Sequence, residues 1–220
     1  LARAMVRYFL TRGGIMATGP FEVGGFTNVH HSDGRTDLQL YLGGYTFKVE
    51  DNNPVPLDKI DDRPGVTIYG QLLRLTSEGS IRARGPALTD PAEILPNWLT
   101  TDHDQQTAIA TIRLMRRYMQ QEPLAALLGE ELIPGAGVVS DAALLDTFRR
   151  LATCGLHAIG TCRMGADNRA VTDPRLRLRG VEGLRVVDCS VIPGPVTGNT
   201  NAPAMAVGLR AAAMVLADRG

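Results

Sequence analysis

Two runs near the C-terminus constrain this 220-residue chain most: His157-Ala-Ile-Gly-Thr-Cys-Arg-Met-Gly165 and Gly198-Asn-Thr-Asn-Ala-Pro203. Between them, in order, lie Asp173-Pro174, Gly183-Leu-Arg-Val-Val-Asp-Cys-Ser190 and Ile192-Pro193. A pattern of several parts held in order and spacing specifies an architecture far more narrowly than any single motif does.

Length allows one generous domain or parts of two, with enough chain to bury a substantial core. The 23 basic residues balance 23 acidic ones, so no general attraction to nucleic acid or to an anionic membrane surface is expected. No apolar run approaches the roughly 20 residues that cross a bilayer, and no transmembrane helix is expected. Cys154, Cys162 and Cys189 are too few and too late in the chain for a secreted disulfide framework. A reducing compartment, the cytoplasm, is the expected location, with the periplasm as the alternative. Residues 1–12 carry Arg3, Arg7 and Arg12 with no acid, while Met5, Val6, Phe9 and Leu10 share a helical face, as in a transit peptide. The preferred reading is an interior helix of a longer protein, because the chain starts with Leu and runs at once into Gly13-Gly14.

Coarse elements follow from periodicity. Residues 38–42 alternate strictly, as a half-buried strand does, and residues 66–75 read similarly. Ser77-Glu-Gly-Ser80 supplies turn chemistry before Ile81-Arg-Ala-Arg84, so a β-hairpin is expected there. Residues 50–64, rich in Asp, Asn and Pro, read as a linker-like surface excursion. Residues 104–129 look helical, with Ile109, Ile112, Met115 and Met119 near one face, Arg113, Arg116 and Arg117 solvated, and Pro123 interrupting. A second helix should start at Ser140 as N-cap, carry a stripe of Leu144, Leu145, Phe148 and Leu151, and stop at Gly155, which places His157 just beyond a helix end. Leu176–Arg179 and Leu184–Asp188 suit two strands around a compact connection. Residues 203–217, rich in Ala, suit a buried helix with Pro203 in its first turn.

The assembled pattern resembles the C-terminal portion of the glucose-methanol-choline (GMC) flavoprotein oxidoreductases. The resemblance covers essentially the whole chain, and it implies a mixed α+β and α/β fold. Residues 1–150 would form an antiparallel-sheet substrate domain carrying helices. Residues 151–220 would hold the catalytic motif and the C-terminal part of a Rossmann-like FAD-binding domain. The N-terminal part of that domain is missing here, since no G-x-G-x-x-G phosphate loop occurs. The chain therefore reads as a fragment, expected to bind FAD poorly by itself and to expose apolar surface.

Oxidation of an alcohol needs a base at the hydroxyl, because hydride leaves the carbinol carbon readily only as that proton departs. An imidazole suits this task near neutrality, and the resemblance assigns it to His157. The competing reading is a histidine that packs after a helix with one ring N–H on a carbonyl. The second family position falls on Asn199, whose amide would orient the substrate oxygen; the alternative is an N-cap of the last helix. Thr200, Asn201 and Ala202 would lie near the flavin, where the positive end of that helix meets the anionic edge of the reduced ring. Asp188 and Cys189 resemble positions beside the cofactor's ribityl and phosphate region, against the plainer reading of a carboxylate that satisfies a loop.

His30, His31 and His103 read as loop or surface residues. Cys154, His157 and Cys162 are alternative zinc ligands, disfavoured because no paired C-x-x-C is present, and the cysteines read as small buried apolar residues. The implied cofactor is FAD and the implied substrate a small-molecule primary or secondary alcohol, with oxygen, a quinone or another electron acceptor. A single Trp and few rings weigh against an aromatic cage for a quaternary ammonium. The alternatives are a flavin-containing lyase of the same fold and a non-catalytic ligand-binding fragment.

Overall fold

A computed structural model describes residues 2–19, 21–30, 34–48 and 59–218. His31 and residues 50–58 of the linker-like stretch lie outside the described residues. The chain forms two compact units, residues 1–72 with 106–153 and residues 73–105 with 154–220. Where the sequence draws one cut near residue 150, the chain passes between the units after Leu72, Gln105 and Thr153.

In the first unit, β1 (Val23–Thr27), β2 (Leu38–Gly43) and β3 (Thr67–Leu72) form an antiparallel sheet with β2 in the middle. Leu38 and Leu40 point from β2 into a cluster with Leu114, flanked by Ile68, Leu72 and Met115. The alternation expected of a half-buried strand is not what β2 shows, because Gln39 is buried as well. As the central strand it has a neighbour on each side, with Gln39 opposite both Phe26 and Gln71. Rings of Phe21, Tyr41 and Tyr69 meet at centroid separations of 5.1 and 5.3 Å. Burial, together with its hydrogen bond to Tyr45, pushes the Tyr69 phenol well above its ordinary range.

Helix α2 (Asp102–Met119) has Asp102 and Asp104 in its first turn and Arg116 and Arg117 in its last, matching the helix dipole. It packs on β3 at Gly70, where a Cβ would lie 2.5 Å from Thr111 Cγ2, so only glycine fits. Ile109 and Ile112 bury against Leu144 of α3 (Asp141–Leu151), with Met115, Leu145 and Phe148 around them. The expected Ser140 cap is present, accepting from the Ala143 N–H at 3.3 Å.

Several expectations need correction. Helix α2 ends at Met119, ten residues short of 129, and α3 ends at Leu151 with Ala152 as its extended C-cap rather than at Gly155. Arg116 is not solvated. Its guanidinium grips Glu131 at 2.8 Å and donates to the Val138 and Gly135 carbonyls, tying the loop before α3 to α2. The opening helix, α1 (Ala2–Thr11), forms and buries no residue. It ends through left-handed Arg12 and Gly14, with φ of 53° and 89°.

In the second unit, the hairpin expected between residues 66–75 and 81–84 does not form. β4 (Ser80–Arg82) pairs instead with β5 (Glu93–Leu95), since β3 already pairs with β2 and belongs to the other unit. The Thr76-Ser77 turn is held by Asp104, whose fully buried carboxylate accepts both backbone N–H groups at 2.8 Å and the Thr76 hydroxyl at 3.0 Å. His103, in the same helical turn, is an exposed surface residue as expected and lies 3.3 Å from the Arg74 carbonyl. In the first unit His30 is half-buried, with Nε2 2.7 Å from the Thr107 hydroxyl.

The strands expected at 176–179 and 184–188 reduce to an isolated antiparallel bridge, Arg177 to Arg185, closed by Gly180 and Gly183 at φ of 80° and 73°. The last helix, α4 (Asn201–Ala217), is less buried than its Ala-rich pattern suggests and carries apolar surface of the kind expected of this chain. Ala211 alone is fully enclosed, against Leu176 and Val191, while Met205, Leu209 and Leu216 are 64–78% exposed. Among the described residues, no helix is long and apolar enough to cross a membrane.

Candidate active site

His157 follows α3 after a short irregular passage whose geometry is set locally. Leu156 takes the left-handed conformation at φ 60°, its N–H reaching Cys154 Sγ at 3.3 Å, and this bend turns the chain before the imidazole. The residues after it are laced to a second segment. The Cys162 N–H donates to the Ser190 carbonyl at 3.0 Å and the Met164 N–H to the Val191 carbonyl at 2.8 Å. Buried Thr172 adds its hydroxyl to the Cys162 carbonyl at 3.2 Å. Beneath this lacing Met164, Leu176, Val186 and Val191 pack with Val207, Ala211 and Met214 of α4. The apolar contacts thus fix the 157–165 motif against the last helix.

At that junction the two sequence motifs meet. His157 Nδ1 lies 3.1 Å from Thr200 Oγ1 and 3.5 Å from the Thr200 backbone nitrogen. The imidazole is half-buried and Thr200 is buried, 8% exposed. Nε2 makes no hydrogen bond among the described residues. The packing alternative for His157, a ring N–H on a backbone carbonyl, is not the arrangement found. Asn199 directly precedes Thr200 and its side chain is exposed.

Thr200 is the N-cap of α4, yet its side chain makes no capping bond, because the hydroxyl is turned to His157. The N–H groups of Asn201 and Ala202, the first two helical residues, have no acceptor within the helix, and both residues are exposed. The positive end of this 17-residue helix, a place that suits an anionic group, thus lies beside His157.

Asp188 does not end a strand. It caps a single helical turn at Cys189–Val191, accepting the Ser190 N–H at 2.7 Å. This is the loop-satisfying role. Cys189 Sγ lies 3.6 Å from the Thr200 carbonyl, so it touches the same junction. Cys154 is exposed and Cys162 and Cys189 are half-buried, so the expectation of buried cysteines fails. Among the described residues no group of three His, Cys, Asp or Glu side chains is placed to hold a metal.

Sequence reasoning missed two scaffold pairs. Arg163 holds Asp167 through bonds of 2.9 and 2.6 Å, which keeps that carboxyl well below the usual range. Asp173 accepts from the Arg175 and Arg177 backbone N–H groups and the Arg177 guanidinium. Opposite charges four residues apart were the available signal in both. A surface cleft lined by Asp173, Arg177 and Glu182 contains none of the predicted site residues. It borders the Gly180–Gly183 turn, and the chemistry is better sought where the two motifs meet.

Residues 76–208, more than half of the chain, match the family described as GMC oxidoreductase. The chain is 33% identical over 209 residues to an alcohol dehydrogenase (acceptor) of Pseudomonas putida, covering 95% of this chain and 37% of that protein. It is 34% identical over 201 residues to human mitochondrial choline dehydrogenase, covering 90% and 33%. It therefore spans about a third of the length of these relatives. Among solved structures, pyridoxine 4-oxidase from Mesorbium loti aligns at a TM-score of 0.76 with 26% identity, over 88% of this chain and 37% of that one. Formate oxidase from Aspergillus oryzae aligns at 0.80 with 21% identity, over 99% and 41%, a likeness of fold. Sequence and mixed α+β architecture agree, and the chain belongs to the GMC oxidoreductase family.

Proposed function

We propose that this chain forms the substrate-binding and catalytic part of an FAD-dependent oxidoreductase that acts on a primary or secondary alcohol. FAD, when bound, supplies the hydride acceptor. His157 takes the hydroxyl proton at Nε2, and the Asn199 carboxamide donates to the substrate oxygen and orients it. The N–H groups of Asn201 and Ala202 hold the anionic edge of the ring, with Thr200 fixed behind them. Asp188 and Cys189 belong to the cofactor side of the site through the turn they form next to Thr200. Residues 1–150 serve as the substrate-binding part.

The observation that carries this reading is the meeting of His157 with the Gly198–Pro203 motif, at 3.1 Å through Thr200. With Nδ1 engaged, Nε2 is the ring nitrogen left for a substrate. The names of the relatives, alcohol dehydrogenase, choline dehydrogenase and choline oxidase, bring the alcohol donor to this chain. Because they include dehydrogenases and an oxidase, the acceptor is outside the proposal. Anaerobic stopped-flow mixing of the FAD-loaded full-length protein with a panel of alcohols tests it. Bleaching of the flavin by at least one of them is expected. Turnover of a cyanohydrin-like substrate with the flavin remaining oxidised would instead support a lyase.

A further inference from the structure

We propose that the sheet face turned away from α2 is a ligand face on which Gln39 sets selectivity: it takes a neutral, ring-bearing alcohol with a further O–H or N–H group for the Gln39 carboxamide oxygen. The proposal rests on the reading of residues 1–150 as the substrate-binding part. Successive side chains of a strand leave on opposite faces. Leu38 and Leu40 of β2 go to the cluster with Leu114 of α2, and a Cβ at Gly70 of β3 would meet Thr111 of the same helix. Gln39 and Tyr41 therefore stand on the other face, opposite Gln71 and Tyr69.

Gln39 is the odd residue of that face. It is 9% exposed, and its Oε1 is the one buried side-chain oxygen or nitrogen among the described residues that has no hydrogen-bond partner. On the neighbouring strand the matching oxygen of Gln71 is satisfied, accepting the Tyr41 hydroxyl at 3.2 Å. An acceptor withdrawn from water and left without a donor costs folding free energy, a cost that a leucine at the same place would avoid. A partner that arrives with the ligand accounts for a carboxamide there, and what an amide oxygen lacks is a donor, an O–H or an N–H. The side chain opposite Gln39 on the edge strand, Phe26, is 53% exposed and has room to turn aside for it.

The surroundings of Gln39 define the rest of the ligand. No residue of β1, β2 or β3 carries a charge, so the strands offer no counter-ion to an ionic substrate. Phe21 lies 5.1 and 5.3 Å from Tyr41 and Tyr69, and Phe47 lies 6.2 Å from Tyr69. Both contacts of Tyr69 are edge-on, at 74° and 84°. Rings packed edge to face use their faces on one another, whereas a quaternary ammonium needs several open faces around it. Flat apolar surface with one unmet acceptor suits a neutral ring that brings a donor.

KM on FAD-loaded full-length protein, for benzyl alcohol, its ring-hydroxylated isomers and choline, pairs a substrate group with the side chain. In wild type at least one ring-hydroxylated isomer should have a KM about tenfold below that of benzyl alcohol, the worth of one hydrogen bond to a buried acceptor. In Gln39→Leu the two should agree. A side chain that only packs, or that holds only a water molecule, does not couple to a hydroxyl of the substrate in this way. Equal KM values in wild type, a preference that persists in Gln39→Leu, or a choline KM below that of every aryl alcohol would overturn the proposal. The wild-type arm decides even if the leucine variant does not fold. Equilibrium binding of the same alcohols separates this claim from the oxidation itself. A binding preference lost in Gln39→Leu, with no alcohol bleaching the flavin, would contradict the oxidation while leaving the assignment of Gln39 intact.

Discussion

The two units of this chain are built on different terms. The first is made by regular structure: a three-stranded sheet whose Leu38 and Leu40 meet Leu114, and a helix pair joined at Ile109, Ile112 and Leu144. The second holds its centre, Leu176, Val191 and Ala211, mostly between turns and single bridges, and the helix that completes it leaves Met205, Leu209 and Leu216 exposed. Periodic packing supplies stability in the first. In the second, irregular backbone held by buried side-chain hydrogen bonds presents a histidine, a threonine and a helix terminus to one place, as functional sites on loops do.

If that contrast is right, the two units should break under different substitutions. Leu144→Ala empties a fully buried position between α2 and α3. It should lower stability by about 3–5 kcal/mol in denaturant unfolding, from lost transfer energy plus cavity. Asp104→Ala leaves the Thr76 and Ser77 N–H groups without their acceptor. A loss of about 2–3 kcal/mol is expected, now from polar groups rather than apolar volume.

Asp104 also predicts a pH dependence. Burial pushes its carboxyl up, but the hydrogen bonds from Ser77 and Thr76 outweigh burial and hold it below its ordinary value of 3.8. A carboxylate depressed in the folded state stabilises it fully above that ordinary value and loses the contribution as pH falls through the lowered one. Acid titration of stability should therefore be steeper in wild type than in Asp104→Asn below pH 3.8. Equal slopes would show that the turn does not depend on the charge.

Ser140→Ala removes the cap of α3 and should cost about 1 kcal/mol, a loss that Ser140→Asp restores. The smallest effect is expected at Asp218, which pairs with Arg175 and Arg185 at the exposed end of α4. Asp218→Asn should change thermal unfolding little, since Asp218 and Arg175 are both well exposed and such pairs contribute little.

Much of the first unit was legible: β2, α2 and α3 stand close to where alternation, helical spacing and a serine cap put them, although β2, between two neighbours, does not alternate in burial. What escaped was set by partners distant in sequence. The turn at Ser77–Ser80 does not close the hairpin it signals: β4 pairs with β5, a choice that local residues do not encode. Arg116 looks like surface until Glu131 and the Gly135 and Val138 carbonyls fold back on it. At the site, the motifs named His157 and Asn199, while the contact that joins them runs through Thr200. A hydroxyl facing a ring 43 residues away leaves no periodic trace.

The proposed role of His157 as the base of an alcohol oxidation can be tested on the enzyme itself. The most direct test is the rate of flavin reduction by a reactive alcohol in FAD-loaded His157→Ala. A fall on the order of a hundredfold or more is expected, the usual consequence of losing a general base. Reduction at the wild-type rate, with FAD bound as tightly as before, would contradict it.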